Sequence, residues 1–421
     1  MMDSWTKTPG LPLISAVVEE GHVTVSQRPF FLCQTCNSSS EEEERTWDVP
    51  LQYFYKNKEV NKTDRFYLNA TKESNIMQDV DWIKLNADWT GFYLVNNTDI
   101  DLVDLELMSD VDVANMLHNS LQLIREGSLS SQSFISTLKR AMATEQPGYL
   151  TTYMVLQSWW FILNIFDQNY DSYNEVSGAA YVWLNVSNMD VSYGALSNMA
   201  VTDRELLVSK LKMALSIDHD RVVEDNPEFH NLTVLWRRSI EETNFSYEGI
   251  IHRDIAREVG KCSFLTDEGG MWSLLWKEYS DATVPSWETD LEVILTSAKD
   301  ITLLLRMLDN CLNEEKIKQD KTISIISLIT GQRRGRAVGW DFMRTNWDFL
   351  YDRHKTQISR LVSASTSTFS SHQRLQEMDE FFEKNKVGGD ERAVSQAREI
   401  VLSNIFFMEN RSGDILNSIL K

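Results

Sequence analysis

Histidine, cysteine and arginine are the residue types whose spacing could give this 421-residue chain a chemistry. The seven histidines occupy positions 22, 118, 219, 230, 252, 354 and 372. No two are four residues apart, so no helix can present two imidazoles on one face in the His-Glu-x-x-His arrangement that holds catalytic zinc. The sequence also lacks the Gly-x-Ser-x-Gly turn of serine hydrolases and the glycine-rich loops that bind phosphates. These absences predict a chain with no catalytic residue and no metal ligand of its own.

Cys33 and Cys36 form a Cys-x-x-Cys pair, a spacing that is common in zinc and redox sites. No second pair and no nearby histidine completes a zinc site, and no βαβ pattern surrounds the two thiols. We therefore interpret them as a local disulfide or as two unlinked loop thiols, with zinc or redox chemistry as the alternative. The other two cysteines, Cys262 and Cys311, are isolated in the sequence.

Arg333, Arg334 and Arg336 are the sharpest charge feature of a chain whose net charge is −21. A guanidinium can bind a carboxylate through two parallel hydrogen bonds, so the cluster could contact a peptide carboxylate or an acidic surface of another domain. The alternative is a solvated loop, stabilised by the carbonyl end of the preceding helix. We favour the solvated loop and keep the anion site as the competing hypothesis.

Two helices must position these arginines. The first is predicted over residues 323–330, and Gly331 is expected to end it in the left-handed conformation. The second carries Val338, Phe342 and Phe349 near one face, with Trp340 and Trp347 beside them as core residues. Neither helix can bury its apolar face alone, so the pair is expected to be antiparallel and to stack on neighbouring helices.

Strand patterns precede residue 100 and helical patterns follow it. Strands are predicted over 13–18, 22–27, 28–32, 47–55, 82–86 and 91–95. The last two are expected to pair with each other, and Pro50 is expected near a sheet edge. Further helices are predicted over 113–126, 131–143, 149–166, 203–216, 250–259, 271–279, 287–296, 301–311, 354–362, 371–382 and 391–410. The predicted fold is mainly α with a small N-terminal β-sandwich, the helices forming an α-solenoid-like superhelix of antiparallel pairs.

The composition excludes some classes of function. The excess of acidic residues repels polyphosphates, so we expect no nucleic-acid partner. No apolar run is long enough to cross a bilayer, and the first ten residues lack the apolar stretch of a signal peptide. Eight Asn-x-Ser/Thr triplets nevertheless favour an extracellular or cell-surface location. The candidate N-glycosylation acceptors are Asn37, Asn61, Asn69, Asn96, Asn185, Asn231, Asn244 and Asn410.

Four segments resemble, in order, the C-terminal part of the zinc aminopeptidases of the aminopeptidase N type. Residues 3–13 are similar to the Trp-Thr segment that closes the catalytic domain of that family. Residues 23–30 with 47–51 resemble its Ser-Gln-x-x-Phe and Trp-x-Val-Pro strands. Residues 82–96 are similar to Trp-x-x-x-Asn followed by Gly-Tyr-Tyr-Arg-Val-Asn, and residues 339–347 resemble the late helices with Gly-Trp-Asp-Phe and Asn-Trp.

This resemblance implies that residues 1–10 are the end of a zinc catalytic domain, 11–99 a β-sandwich and 100–421 a helical domain. It also implies that zinc and the catalytic residues of the full-length enzymes lie outside this chain, so no activity is expected alone. The expected role is to cap and gate a peptide chamber, with a peptide or a zinc catalytic domain as partner and a second copy of the chain as a further candidate. The alternative is a stand-alone helical scaffold that binds peptides or proteins without peptidase activity.

The chain departs from the family pattern at three places. Leu94 replaces an arginine, and the helix near residues 114–116 lacks the usual arginine. Cys262 lies near the first position of the disulfide that the resemblance implies, but the second position falls at about Ser297, which leaves that disulfide in doubt.

Overall fold

The computed structural model describes residues 2–32, 44–57, 60–69, 72–77, 80–97, 105–144, 147–242, 246, 248–264, 268–385, 387 and 391–420. These are called the described ranges below. The chain divides into two compact units, one formed by residues 1–162 with 402–421 and the other by residues 163–401.

The first unit begins with a short helix and seven described strands. They are α1 Met2–Lys7, β1 Pro12–Glu19, β2 His22–Pro29, β3 Asp48–Asn57, β4 Val60–Asn69, β5 Glu73–Met77, β6 Trp82–Leu85 and β7 Leu94–Asn97. One sheet has the order β5-β2-β1-β7 and the other has the order β4-β3-β6. Apolar residues alternate along the strands, as a half-buried sheet requires, and the two inner faces share one core. Ile14 and Val25 contribute to it from the first sheet, Leu51 and Leu85 from the second. The predicted small β-sandwich is confirmed.

Long-range pairing differs from the strand predictions in several places. The segments 82–86 and 91–95 do not pair with each other, because β6 lies antiparallel to β3 whereas β7 lies parallel to β1. The separate strand predicted over 28–32 is not formed: residues 28 and 29 are the end of β2, and residues 30–32 lie in no strand. Pro50 lies in the central strand of its sheet, but β6 pairs with β3 only from Tyr53 to Lys56. Pro50 therefore has no paired residue on the β6 side of β3, so it lies at a locally unpaired edge of the sheet, where proline is tolerated.

Helices account for most of the chain after residue 109. They are α2 Asp110–Glu126, α3 Ser131–Met142, α4 Tyr149–Ile165, α5 Tyr170–Leu184, α6 Tyr193–Asn198, α7 Val201–Ile217, α8 His219–Asp225, α9 Pro227–Glu241, α10 Arg253–Lys261, α11 Glu268–Asp281, α12 Pro285–Leu295, α13 Ile301–Asn310, α14 Gln319–Thr330, α15 Arg336–Thr345, α16 Trp347–His354, α17 Ile358–Thr366, α18 His372–Lys384, α19 Glu391–Asn410 and α20 Ser412–Leu420. The last described strand ends at Asn97 and the first following helical turn begins at Leu105. The change from strands to helices was predicted at about residue 100, which lies between them. A mainly helical fold is confirmed.

Sequence reasoning found most of these helices and missed some. The limits of α19 coincide with the prediction, and α2 begins three residues earlier because Ser109 caps it. Helix α9 was missed although Asn226 and Pro227 supply a cap and a first-turn proline. The predicted single helix after residue 336 is two helices, which meet at Asn346.

Two ion pairs hold α2 against the strands of the same unit, one near each end. Lys84 of β6 is 1% exposed, and its Nζ lies 2.7 Å from Asp112 Oδ1 in the first turn of α2. Arg28 of β2 donates to both carboxylate oxygens of Glu126, at 2.7 and 2.8 Å, in the last turn. The Glu126 side chain is fully buried. These contacts make the first long helix part of the packing of the sandwich.

The second unit contains an ion pair of its own, between a buried glutamate and a partly exposed lysine. Glu292 of α12 is 2% exposed, and its Oε1 lies 3.0 Å from Lys321 Nζ of α14. Burial raises the pKa of the Glu292 carboxyl, against the lowering effect of Lys321. Nearby, Trp272 Nε1 donates to the carbonyl of Leu295 at 3.2 Å. Helices α11, α12 and α14 are therefore joined by specific polar contacts as well as by apolar packing.

Within the described ranges, no helix combines the length and the apolar character needed to cross a membrane.

Candidate functional site: the arginine segment

The arginine segment, residues 331–336, follows α14 without a left-handed turn. Helix α14 ends at Thr330 as predicted, but Gly331 has φ −67° and ψ −18°, so the expected left-handed conformation is wrong. The chain instead continues in right-handed turns, because Gly331 N donates to Ser327 O at 2.9 Å and Gln332 N donates to Ile329 O at 3.1 Å. Gln332 also reaches the carbonyl of Thr296 with its Nε2 at 2.8 Å. The segment is thereby fixed to the end of α12.

Two other glycines are required by the close approach of α14 and α15. A Cβ on Gly335 would lie 2.1 Å from the carbonyl oxygen of Ile329, and one on Gly339 would lie 2.3 Å from Thr330 Cγ2. At Gly335 the obstacle is backbone, which would have to move, and at Gly339 it is the side chain of Thr330, which would have to shift. The two helices therefore meet nearly backbone to backbone, and this contact sets where the intervening arginines project.

Arg333 and Arg336 share one carboxylate. Arg333 Nε lies 2.6 Å from Asp167 Oδ1, and Arg336 NH1 lies 2.6 Å from Asp167 Oδ2. Arg336 NH2 also donates to Asn164 Oδ1 at 2.5 Å. The Arg336 and Asp167 side chains are 13% and 12% exposed. The Arg336–Asp167 pair is therefore shielded and charge-assisted, which makes it stronger than a solvent-exposed pair. Two of the three arginines thus hold the turn after α4 to the start of α15.

Arg333 also packs on an aromatic ring. Its guanidinium carbon lies 3.9 Å from the centre of the Tyr173 ring in α5, which is a cation–π geometry. Burial raises the pKa of the Tyr173 hydroxyl, and the positive charge of Arg333 opposes that rise. The aromatic contact limits the directions in which Arg333 can turn.

Arg334 is exposed. No ion pair involving it occurs in the part of the chain that the structure describes. Its positive charge nevertheless acts on His219, whose pKa falls to about 3 through burial and the nearby cations Lys299, Lys261 and Arg334. Three guanidiniums and one carboxylate leave the segment positive, and Arg334 is the member whose charge faces solvent.

The aromatic residues beside this segment belong to the core, as predicted. Trp340 is 0% exposed and Trp347 is 4% exposed. Phe381 of α18 packs edge-on against both, with ring centres 5.8 Å from Trp340 and 5.3 Å from Trp347. These rings anchor α15 and α16 and are not available to a ligand.

The remaining candidate residues are dispersed. Cys33 and Cys36 lie outside the described ranges, whereas Cys262 and Cys311 are buried free thiols whose pKa is raised by burial. The disulfide implied for Cys262 is therefore not formed with Cys311. Over the described ranges, no group of three or more His, Cys, Asp or Glu side chains is arranged to hold a metal ion.

The glycosylation triplets occupy several kinds of backbone. Asn37 and Asn244 lie outside the described ranges, and Asn61 lies in β4. Asn96 is half-buried in β7. The exposed acceptors are Asn69, Asn185, Asn231 and Asn410.

Asp167, Asn164 and Tyr173 were not anticipated from the sequence. Arg333 and Asp167 are 166 residues apart, and no local pattern marks the carboxylate. The arginines were visible because they are clustered in an acidic chain, but their partner could be found only from the folded structure.

A small β-sandwich joined to a mainly helical region is the architecture expected for the C-terminal part of an aminopeptidase N-type enzyme. Comparison with known proteins agrees. The family model described as the ERAP1-like C-terminal domain matches residues 82–403, and the chain belongs to this family.

Relatives align over nearly the whole chain. Glutamyl aminopeptidase of Bitis rhinoceros is 24% identical over 438 residues, covering 99% of this chain and 43% of the relative. Aminopeptidase N of Mus musculus is 26% identical over 425 residues, covering 96% and 42%. Endoplasmic reticulum aminopeptidase 1 of Homo sapiens is 23% identical over 426 residues, covering 97% and 43%. The chain spans less than half the length of these relatives.

Proposed function

We propose that this chain is the non-catalytic C-terminal region of an aminopeptidase N-like zinc enzyme, where it caps and gates the peptide chamber of a catalytic segment. The pattern of coverage supports this proposal most directly. The aligned region includes nearly all of this chain but only about two fifths of the length of each relative, and these relatives are named as aminopeptidases. The chain lacks the histidine pair of the zinc site, so catalysis would fall to the part of those relatives that it does not match.

Residues 1–10 fit the proposed role as the end of the zinc domain, with 11–99 as the sandwich and 100–421 as the helical domain. Trp5 Nε1 donates to the carbonyl of Asp48 at 2.8 Å, and Asp48 N donates to Ser4 Oγ at 3.1 Å. Helix α1 is therefore held on β3 rather than left free. A catalytic segment ending in α1 would be joined to the sandwich by these contacts.

In this proposal the zinc is held by the catalytic segment. This is supported by the described residues of this chain, which include no group of three or more His, Cys, Asp or Glu side chains arranged to hold a metal ion. The contribution of this chain is to bind and to position. Arg334 is the exposed cation that could meet a peptide carboxylate or an acidic surface of the zinc domain. The excess of glycosylation triplets supports an extracellular or cell-surface setting.

The test compares the isolated chain with the protein in its natural source. We expect the purified chain to hold no stoichiometric zinc and to hydrolyse no aminoacyl amide. Material captured from the source with antibodies against this chain should contain zinc, hydrolyse that substrate and yield peptides from a His-Glu-x-x-His segment. One zinc per isolated chain with hydrolysis would contradict the proposal.

A different negative result would favour the stand-alone scaffold. If the captured material contains only this chain, without zinc or a catalytic segment, the capping role is refuted. Peptide binding by that material, measured by fluorescence anisotropy, would then identify a peptide-binding protein.

A further inference from the structure

The triplet Asn185-Val186-Ser187 lies where helix α5 ends. Asn185 follows the last residue of α5 and has φ 53° and ψ 50°, a left-handed conformation that asparagine tolerates better than most residues. Its backbone N–H donates to the carbonyl of Val182 at 3.3 Å and closes the helix end. The residue is exposed, so the side chain projects from a turn rather than from within a helix or strand.

The amide of Asn185 is held by its oxygen. Asn188 Nδ2 donates to Asn185 Oδ1 at 2.8 Å. This bond turns the Nδ2 atom, to which a sugar would be attached, away from Asn188. Within the described part of the chain that nitrogen donates no hydrogen bond, so a glycan would replace none at this position.

An uncovered apolar side chain lies one turn before the amide. Val182 is 74% exposed, more than most of the other exposed large apolar side chains in the described ranges. Next to it, the ring of Trp183 is half-buried under the ammonium of Lys210, at 5.2 Å from the ring centre. The apolar face of an N-acetylhexosamine on Asn185 would have Val182 within reach and would cover it.

Two other exposed triplets in the described ranges fit a glycan less well. Asn410 Nδ2 already donates to the carbonyl of Phe406 at 2.8 Å. Asn231 lies within α9, where the hydroxyl of its triplet partner Thr233 is buried and donates to Phe229 O at 3.0 Å.

We propose that Asn185 is an N-linked glycan acceptor, and that its first sugar packs over Val182. The donor is an oligosaccharide joined through pyrophosphate to a lipid. The new bond joins Asn185 Nδ2 to sugar C1, the bond from C1 to the pyrophosphate oxygen breaks, the lipid pyrophosphate leaves and the amide loses one proton. This assignment goes beyond the proposed function and does not require peptidase activity.

The experiment places the full chain behind a cleavable secretory leader in eukaryotic cells. The secreted protein is treated with peptide N-glycosidase in ¹⁸O water, and the peptide that contains Asn185 is examined by mass spectrometry. We expect Asn185 to be recovered as ¹⁸O-labelled aspartate, and both Asn185→Gln and Ser187→Ala to lose one glycan by gel mobility. Ser187→Ala keeps the left-handed asparagine, so it remains informative if Asn185→Gln fails to fold.

Asn410→Gln is the matched control, since it removes an exposed triplet whose amide nitrogen is already bonded, and it should leave mobility unchanged. Recovery of unlabelled Asn185, or unchanged mobility of both triplet variants, would overturn the proposal. Zinc content and hydrolysis do not enter this test, so its failure is distinguishable from failure of the proposed function.

Discussion

Replacing Lys84 with methionine removes the ammonium that joins β6 to α2 while keeping most of the buried stem. In the native protein, Lys84 Nζ donates to Asn86 O and Asp112 Oδ1 at 2.7 Å each, and to Asn115 Oδ1 at 3.2 Å. All three donors of the ammonium therefore have an acceptor. Burial lowers the pKa of Lys84, and the neighbouring carboxylate of Asp112 opposes that shift.

The expected loss follows from what the substitution leaves behind. Asp112 stays largely buried and keeps only the N–H of Asp88 at 2.9 Å and the hydroxyl of Ser109 at 2.8 Å. Removing one member of a buried ion pair costs about 3–5 kcal/mol, because the remaining charge is uncompensated. A domain is typically stable by about 5–15 kcal/mol, so Lys84→Met should remove a large part of the stability of the first unit.

The assay is urea unfolding followed by circular dichroism, with the free energy taken from linear extrapolation. Lys7→Met is the matched control: Lys7 also pairs with an aspartate, Asp3, at 2.9 Å, but the two side chains are 74% and 82% exposed. An exposed pair contributes about 0–1 kcal/mol. The double variant Lys84→Met with Asp112→Leu should lose less than the sum of its single changes, because neither charge is then left alone.

Equal urea midpoints for Lys84→Met and Lys7→Met would refute the reasoning. So would strictly additive effects in the double variant, since the two side chains would then not be coupled.

Three further predictions concern the second unit. Arg334→Gln should leave the urea midpoint unchanged. It should weaken the binding of peptides with a free carboxylate relative to amidated peptides, and the effect should be larger at low salt. Arg336→Gln should instead lower the free energy of unfolding by about 1–3 kcal/mol, because its buried partners lose a charged donor. Binding at low ionic strength that Arg334→Gln does not alter would return that residue to the solvated loop. His219 stays neutral in the folded state down to about pH 3, whereas it titrates near 6.5 in the unfolded chain. The unfolded state therefore binds the extra proton first, and the stability of the wild type should fall as the pH drops from about 6.5 toward 3. This one group contributes at most ~1.4 kcal/mol per pH unit. His219→Gln should flatten this fall in urea titrations between pH 7 and pH 4, and parallel curves would contradict the assignment. Gly335→Ala should destabilise by about 1–3 kcal/mol through the clash with a backbone carbonyl, whereas Gly178→Ala, in open space within α5, should stabilise by about 1 kcal/mol. Similar melting temperatures for these two variants would rule out the close helix contact.

The sequence alone determined the elements whose signals are local. Helix α19 has a sustained apolar period and was predicted with its observed limits, and the sandwich followed from alternating strands. The tryptophans beside the arginine segment were predicted to be core because they lie on apolar helix faces. The absent histidine pair and the four family-like segments were also readable directly, and the family they indicated is the family to which the chain belongs.

Tertiary structure decided what depends on partners distant in the chain. Periodicity shows that β6 and β7 are strands, but not that one pairs with β3 and the other with β1. A glycine after a helix allows the left-handed conformation without requiring it, and the contacts of the segment after α14 kept Gly331 right-handed. The three arginines look equivalent in sequence. Only folding brings Asp167 to two of them and leaves Arg334 exposed, because an ion pair depends on distance in space and not on separation along the chain.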